Sequence, residues 1–263
     1  MSSNFSEKII HFTVEQLQAL GRYAHLIIEV LKDIATKGID RKEVAKQIVV
    51  IGRDSLPIVA LTALFTGMVL AIQTAYGLER FGAKNYVGNI VGLALVRELG
   101  PVLSAIMICG RVGAGIAAEI GSMVVTEQVD ALRALGANPI RKLVSPRIIA
   151  AVIAIPVLVV FADAIGVYGG QIIAQVELGQ SAHRYHSALY YTIVIKDVID
   201  GLIKSAVFGF ILVSVACYKG LRTRGGTVGV GRTTTEAVVT GCMLIFISDF
   251  FITKCLFLFS LGF

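Results

Sequence analysis

Charged residues are scarce in this sequence. Only 16% of its 263 residues are charged and 56% are hydrophobic, whereas a soluble domain carries about 25% charged residues. The mean hydropathy is +0.78, and the apolar residues run in long continuous blocks. Membrane β-strands would instead alternate apolar and polar residues over about 10 positions. The composition therefore argues against a soluble domain and predicts an all-α integral membrane protein.

Residues that commonly build catalytic, metal or disulfide sites are also few. The four cysteines lie in apolar blocks and form no CxxC pair, so we interpret them as small core residues, not a disulfide or zinc framework. His183 and His186 have a spacing that could hold a metal. No carboxylate or third histidine is close, so we interpret them as solvated loop residues. Because no nucleophile–base pair stands out, the chain is predicted to be no enzyme and to carry no metal or cofactor.

Phosphate-binding loops are missing as well. Residues 113–118, GAGIAA, match a dinucleotide fingerprint but lie in an apolar helix without a βαβ context. The glycine-rich residues 219–239 contain no GxxxxGK[ST] and follow no strand. The glycines and alanines of residues 113–118 instead predict close packing of helices, within one chain or in a homodimer. The GxxxG pairs Gly88/Gly92 and Gly166/Gly170 predict the same.

Five apolar blocks are long enough to cross a bilayer, which takes about 20 helical residues. They are predicted at about residues 55–78, 93–123, 148–176, 201–218 and 237–263. The second block is the longest, and Pro101 favours a kink within it.

Lysine and arginine are unevenly distributed among the connecting segments. Sixteen lie before the first block or in the loops after the second and fourth, and four lie in the other two loops. The positive-inside rule then predicts a cytoplasmic N-terminus and a periplasmic C-terminus. The net charge of +6 is thereby attributed to topology and lipid headgroup contact, not to nucleic-acid binding.

The N-terminal segment predicts an amphipathic helix. Its apolar stripe consists of Ile10, Val14, Leu17, Ala24, Ile28 and Leu31. Its polar stripe consists of His11, Glu15, Gln18, Arg22, His25, Glu29 and Lys32. Such a helix is predicted to lie flat on the cytoplasmic membrane surface, the alternative being a helix packed on a soluble subunit. Residues 1–47 are assigned to this interfacial helix and its connector, and residues 48–263 to the five-span core of a single membrane domain.

Capping signals predict where further helices begin. Asp40 is a candidate N-cap of the helix leading into the first span, and Thr233 with Glu236 has the capping-box spacing expected before the last span.

The loop after the second block contains a short helix. Thr126 is its predicted N-cap, Glu127 and Asp130 lie in its first turns, Arg133 lies near its end, and Gly136 can close it in the left-handed conformation. A short capped helix between two spans predicts a rigid element offered to a cytoplasmic partner.

Charges within the apolar blocks need a reason, since a charge facing lipid costs about 2.5–3.5 kcal/mol or more. Arg97 and Arg111 are 14 residues apart, close to four helical turns, so they are predicted to share a face with Ser104 between them. With Glu98 they predict either an interhelical ion-pair network or a polar patch for an amphipathic ligand. Of the other such charges, Asp163, Lys204 and Asp249 could pair between helices or mark a polar path. Lys254 could instead snorkel towards a membrane interface.

Three stretches carry a family resemblance. Residues 97–147, GMVLAIQ at 67–73 and GVGRTTTEAVV at 229–239 are similar to the signature regions of the MlaE/YrbE family of ABC-type lipid-transport permeases, and the resemblance runs from about residue 45 to the end. It implies an inner-membrane homodimer that moves phospholipids to a periplasmic route, maintaining outer-membrane lipid asymmetry. The implied partners are a cytoplasmic ABC ATPase dimer that binds ATP and Mg, a possible STAS-domain subunit, and a periplasmic MCE-domain hexamer.

The resemblance also implies site residues. The short cytoplasmic helix becomes a coupling helix whose ATPase contacts are Thr126, Glu127, Asp130, Arg133 and Asn138. The implied lipid pocket contains Leu70, Leu78, Phe81, Arg97, Glu98 and Leu99. Two alternatives stay open at this point: an intramembrane lipid-modifying enzyme with Arg97, Glu98 and Arg111 at its centre, and a passive membrane attachment for an MCE ring.

Overall fold

The computed structural model describes residues 3–37 and 40–260, and within these ranges the chain is helical without a strand. The α-helices are α1 Ser3–Lys37, α2 Arg41–Gly52, α3 Leu56–Glu79, α4 Val87–Ala94, α5 Gly100–Ile108, α6 Ala114–Val125, α7 Gln128–Ala134, α8 Ser145–Val176, α9 Ala182–Thr192, α10 Ile195–Gly220 and α11 Gly226–Ser260. The all-α fold class is thus confirmed.

The five predicted spans are confirmed as continuous helical runs. Those long and apolar enough to cross a membrane are Arg41–Glu79, Lys84–Val125, Ile140–Val176, Ile195–Gly220 and Gly226–Leu258. Each begins before its apolar block, because the helix continues through flanking polar residues that hydropathy assigns to loops. The division at residue 47 into connector and core stays a prediction.

Span two is built from three α-helices joined by two π-helical turns. These turns lie at Leu95–Leu99 and Cys109–Gly113. Pro101 lies in the first turn of α5, directly after the first π turn, and a kink at this residue stays a prediction. Since π turns insert extra residues into a helix, they rotate the side chains that follow relative to a regular helix.

Glycines bring spans one and three into direct backbone contact. A Cβ atom at Gly67 of α3 would overlap the carbonyl oxygen of Gly166 of α8, and one at Gly169 would overlap that of Leu64. Gly88 similarly lies 3.1 Å, measured from an added Cβ, from the Tyr185 ring of α9. The predicted close packing is confirmed within the chain for the pairs Gly88/Gly92 and Gly166/Gly170, whereas an added Cβ at Gly115 would meet nothing within 4 Å.

The N-terminal helix α1 presents two apolar faces. Leu26 and Val30 are buried against the core, and α1 is tethered to α10 by the Tyr23 hydroxyl, 2.6 Å from Ser214 Oγ. The predicted apolar stripe is instead bare, with exposed fractions of 45% at Val14, 67% at Leu17, 64% at Ile28 and 54% at Leu31. This face is free for a membrane surface or a soluble subunit, so both alternatives stand. The side chains of Ile10, His11 and Glu15 lie outside the described part.

The capping predictions have mixed outcomes. Asp40 caps α2, its carboxylate accepting from the backbone N–H groups of Lys42 and Glu43. The capping box at Thr233 and Glu236 is wrong, because α11 already begins at Gly226. Both residues therefore lie inside the helix, where Glu236 pairs with charged side chains.

Candidate functional site

Arg97 is bound to the start of α10. Its Nε donates a 2.7 Å hydrogen bond to Asp197 Oδ1, and its guanidinium lies 5.9 Å from the centre of the Phe257 ring of α11. Asp197 is only 1% exposed and also accepts from the backbone N–H of Val194 at 3.1 Å. A buried carboxylate is costly without partners, so this pair joins spans two and four and fixes the first turn of α10.

Lys204 is a second buried charge, in addition to Asp197. It is 2% exposed and donates to Glu98 Oε2 at 2.5 Å. Its Nζ also forms an ion pair with Asp249 Oδ1 at 3.1 Å, although this contact lacks hydrogen-bond geometry. The predicted interhelical ion-pair network is therefore present, and it links spans two, four and five.

A cleft opens beside these pairs. Its charged and polar lining consists of Arg97, Glu98, Lys196, Asp200, Lys204 and Thr253, and its apolar wall of Leu256 and Phe257. Within the described ranges, Lys196 and Asp200 have no oppositely charged partner within 4 Å. The cleft thus offers one unpaired cation and one unpaired anion next to apolar surface. This arrangement can hold the polar end of an amphipathic molecule that carries both charges.

Arg111 lies elsewhere. It donates to Ser55 Oγ at 3.0 Å and to the carbonyl of Val50 at 3.3 Å, and pairs with Asp54 at 3.5 Å. The predicted common face of Arg97 and Arg111 is wrong, because the two π turns of span two shift the helical register. The three-residue centre on which the enzyme alternative depended is therefore not assembled.

The predicted lipid residues fall into two groups. Arg97 and Glu98 line the charged cleft. Leu70, Leu78 and Leu99 are instead partly buried against a separate apolar cluster, and Leu99 also lines a cleft between spans one, two and three. Phe81 is 81% exposed just after α3. Whether any of them contacts lipid stays a prediction.

Helix α7 begins differently from its prediction. Thr126 is no N-cap, since its hydroxyl donates to the carbonyl of Ser122 at 2.8 Å and closes α6. Glu127 precedes α7 with a left-handed φ of 60°, which separates the two helices. Gly136 adopts the expected left-handed conformation, with φ of 73°.

The surface of α7 is available to a partner. Val129 is buried and holds the helix on the core, while Thr126, Glu127, Asp130 and Arg133 are exposed. Asp130 and Arg133 form an ion pair at 2.7 Å. Asn138 is half-buried, and its side chain accepts from the backbone N–H of Ile140 at 2.9 Å. Their contact with an ATPase stays a prediction.

Two residues of this site were not singled out from sequence. Asp197 precedes Lys204 by seven residues on α10, and Thr253 follows Asp249 by four residues on α11, so helical spacing could have placed each on the same face as a charge that was singled out. Asp163, expected to pair between helices, has a buried Oδ1 without a hydrogen-bond partner among the described residues.

The cysteines and histidines take ordinary positions. All four cysteines are free, and Cys109 and Cys217 are buried in the core, whereas Cys242 is half-buried and Cys255 is exposed. His183 and His186 belong to α9 and not to a loop, and His186 Nε2 lies 2.9 Å from Gln171 Oε1. Among the described residues, no group of three candidate metal ligands is brought together.

Comparison with known proteins adds an independent observation. The family model described as Permease MlaE matches residues 44–255. A probable ABC transporter permease protein of Rickettsia typhi is 43% identical, over 98% of this chain and 99% of the relative. One of Synechocystis is 42% identical over 83% of each chain. The intermembrane phospholipid transport system permease protein MlaE of Haemophilus influenzae is 33% identical, over 98% of this chain and 99% of the relative.

Proposed function

The chain belongs to the MlaE permease family, and on this premise we propose that it moves phospholipids between the inner membrane and a periplasmic MCE-protein route to the outer membrane, so maintaining outer-membrane lipid asymmetry. The observation that carries the proposal is a cleft with paired and unpaired charges inside an otherwise apolar five-span bundle. Such a cleft suits a ligand with a polar head and apolar chains.

The polar and apolar parts of the lipid would bind to different residues. Arg97 and Lys196 provide cationic donors for the phosphate, since guanidinium and ammonium groups both bind phosphate well. Leu70, Leu78 and Leu99 supply apolar surface for acyl chains, and the ring of Phe81 is exposed at the same end of α3. Glu98, already bound to Lys204, holds spans two and four together at the headgroup.

ATP hydrolysis would be supplied by other subunits. The family is one of ABC transporter permeases, so we assign the chain as a non-enzymatic membrane subunit and ATP with Mg to a cytoplasmic ATPase dimer. Helix α7 is the proposed coupling helix, because its exposed residues stand on a short rigid element directly after span two. Movement of α7 would pass through α6 to Arg97 and Glu98.

The proposed assembly and membrane orientation follow from the family membership and the distribution of lysine and arginine. We assign the chain to the bacterial inner membrane as a multi-pass homodimer with a cytoplasmic N-terminus and a periplasmic C-terminus. A periplasmic MCE-domain hexamer and a possible STAS-domain subunit complete the complex.

Lipid transfer in a reconstituted complex tests the proposal. Arg97→Ala or Glu98→Ala should impair ATP-dependent transfer of labelled phospholipid while the dimer still assembles, as read by size-exclusion chromatography. Arg80→Ala is the control, since Arg80 is exposed and lies outside the cleft. Normal transfer by both cleft variants would favour a passive role as a membrane attachment. Conversion of labelled lipid by the isolated chain would favour an enzyme.

A further inference from the structure

A second cleft, at the α7 end of the molecule, is lined by arginines from three parts of the chain. Its cavity volume is about 940 Å³. We call it the arginine cleft, and define it by Arg22, Arg133, Arg222 and Arg224, together with His25 and Glu29. These residues come from α1, from α7 and from the connection between α10 and α11. No motif or predicted site includes this combination.

The charges of the arginine cleft are unbalanced. Glu29 is the single carboxylate of the lining, against four guanidinium groups. Arg133 pairs with Asp130, but in the part of the chain that the structure describes Arg22, Arg222 and Arg224 have no acidic side chain within 4 Å. Like charges that converge without counter-charges are unfavourable, so the cleft is electrostatically suited to an anionic partner.

The connection between α10 and α11 is built to present two of these arginines. Thr223 between them is 4% exposed, and its hydroxyl donates to the carbonyl of Gly220 at 2.9 Å. Gly225 and Gly226 then turn the chain with φ of 90° and 66°, a conformation that favours glycine. A buried residue flanked by two exposed ones directs Arg222 and Arg224 away from the core.

Tyr218 joins the two walls of the cleft. Its hydroxyl donates to the carbonyl of Ala19 in α1 at 3.1 Å, and Arg222 Nη1 donates to the same hydroxyl at 3.4 Å. The Arg222 guanidinium also lies 5.2 Å from the centre of the Tyr218 ring. Tyr218 therefore fixes Arg222 relative to α1, and the two walls of the cleft are held together by these contacts.

The orientation of α1 indicates a soluble occupant. Its bare apolar stripe includes Leu17, Ile28 and Leu31, the face expected to meet the bilayer. Arg22 and Glu29 lie about 130° around the helix from that stripe, at roughly 100° per residue. The wall that α1 contributes to the cleft is therefore separate from its bare apolar stripe, and Arg133 of α7 lines the same cleft.

We propose that the arginine cleft binds an acidic segment of the cytoplasmic ATPase subunit. The identity of this partner rests on the proposed function, whereas the acidic chemistry rests on the unpaired guanidinium groups. Carboxylates can bind such groups in a bidentate manner. Since Arg133 of α7 belongs to the cleft, one subunit would contact the coupling helix and the arginine cleft together.

Affinity for the ATPase subunit at several salt concentrations tests this interface. The full permease in detergent would be compared with Arg22→Gln, Arg222→Gln, Arg224→Gln and the triple variant. Each single change should weaken binding about two- to five-fold, and the triple change on the order of 10- to 100-fold, with a reduced salt dependence. Lys32→Gln and Arg232→Gln are matched controls, since Lys32 lies outside the cleft on α1 and Arg232 pairs with Glu236.

Unchanged affinity and salt dependence of the triple variant would overturn the proposal. Loss of co-purified anionic phospholipid from that variant, with ATPase affinity intact, would do so too and would identify a lipid headgroup as the occupant. An Asp130→Lys variant separates the failure of the arginine cleft from the failure of the coupling helix. If it weakens ATPase binding while the triple variant does not, the coupling helix stands and only the arginine cleft fails. A triple Arg→Lys variant keeps the charge but loses the bidentate geometry, so its affinity should lie between those of the wild type and the triple Gln variant if charge, and not folding, is responsible.

Discussion

At the scale of single residues, Lys204 shows how the bundle tolerates charge. Its ammonium group is almost fully buried but lies between Glu98 and Asp249. Taking a charge out of water costs several kcal/mol, and only partners in good geometry offset that cost. Three helices are thereby joined at one atom.

Removing this ammonium group should be destabilising. We expect Lys204→Met to lower the free energy of unfolding by about 1–3 kcal/mol, because it removes the shared partner of two carboxylates that stay partly exposed, Glu98 at 40% and Asp249 at 21%. Denaturant unfolding in detergent would measure this, with Lys254→Met as control since Lys254 is exposed on α11. A loss below 1 kcal/mol would mean that water, not Lys204, neutralises the two acids.

Removing the hydroxyl of Tyr185, a residue of α9 outside the five spans, should not destabilise the protein, in contrast to the change at Lys204. The residue is fully buried, and its hydroxyl has no hydrogen-bond partner within the described part of the chain. Tyr185→Phe should therefore leave the stability at pH 7 unchanged or raise it by about 1 kcal/mol. Tyr190→Phe, at an 85% exposed position, should have no effect. Destabilisation by Tyr185→Phe would reveal a partner for the hydroxyl.

The same residue should affect stability at alkaline pH. Burial raises the pKa of Tyr185 to about 12, above the value of about 10 in an unfolded chain. The unfolded state thus loses its proton first, so the stability contribution is complete below pH 10 and is lost as the pH rises towards 12. The free energy of unfolding should therefore be lower at pH 11 than at pH 8 for the wild type, and this difference should be smaller for Tyr185→Phe.

The sequence shows which charged residues lie in the bundle, but it does not show which of them pair. The expectation that Lys204 and Asp249 pair is confirmed, because charges in apolar helices require partners. The grouping of Arg97 with Arg111 failed because no local signal in the sequence marks a π turn. Asp197 was missed because it lies in a short polar stretch that resembles a loop.

At the scale of helices, α3 and α8 are in direct backbone contact. Gly67→Ala should lower the free energy of unfolding by about 3 kcal/mol or more, since the added methyl group would overlap the Gly166 carbonyl and force two spans apart. Gly77→Ala on the same helix is the matched control, with nothing within 4 Å of its added Cβ. It should be neutral or stabilising by about 0.5–1 kcal/mol. Equal effects of the two changes would contradict backbone contact.

Helices were easier to predict than their ends. The five spans follow from long apolar runs, and α7 from its acidic start and its closing glycine. Its first residue was misplaced because Glu127 adopts a left-handed conformation that side-chain chemistry does not favour. The start of α11 was misplaced because Gly225 and Gly226 form the turn earlier than the capping pattern at Thr233 indicates.

At the scale of the whole molecule, the orientation in the membrane can be tested directly. After replacement of the four native cysteines by serine, a cysteine at Tyr190 should react with an impermeant maleimide in intact cells. A cysteine at Thr227 should react only after permeabilisation, because the positive-inside rule assigns that connection to the cytoplasm. Both positions are exposed, so accessibility within the fold does not limit labelling. The reverse pattern would invert the proposed topology and the place of α7.

One chain alone does not determine the assembly. Much of α11 is uncovered, with exposed fractions of 57% at Phe246 and 62% at Phe250. This apolar surface suits lipid or the second copy of the chain in the proposed homodimer. Partner identities could be inferred only from the family resemblance, because they depend on surfaces of other proteins.

The contact between Gly67 and Gly166 has a consequence for how this sequence can change over evolutionary time. At most packed pairs, a larger residue on one side can be accommodated by a smaller one on the other. Gly166 is already the smallest amino acid, and what a side chain at Gly67 would overlap is its backbone, which no substitution removes. A larger residue at Gly67 can therefore not be rescued by a change at Gly166. Adaptive variation between spans one and three has to arise elsewhere along the two helices.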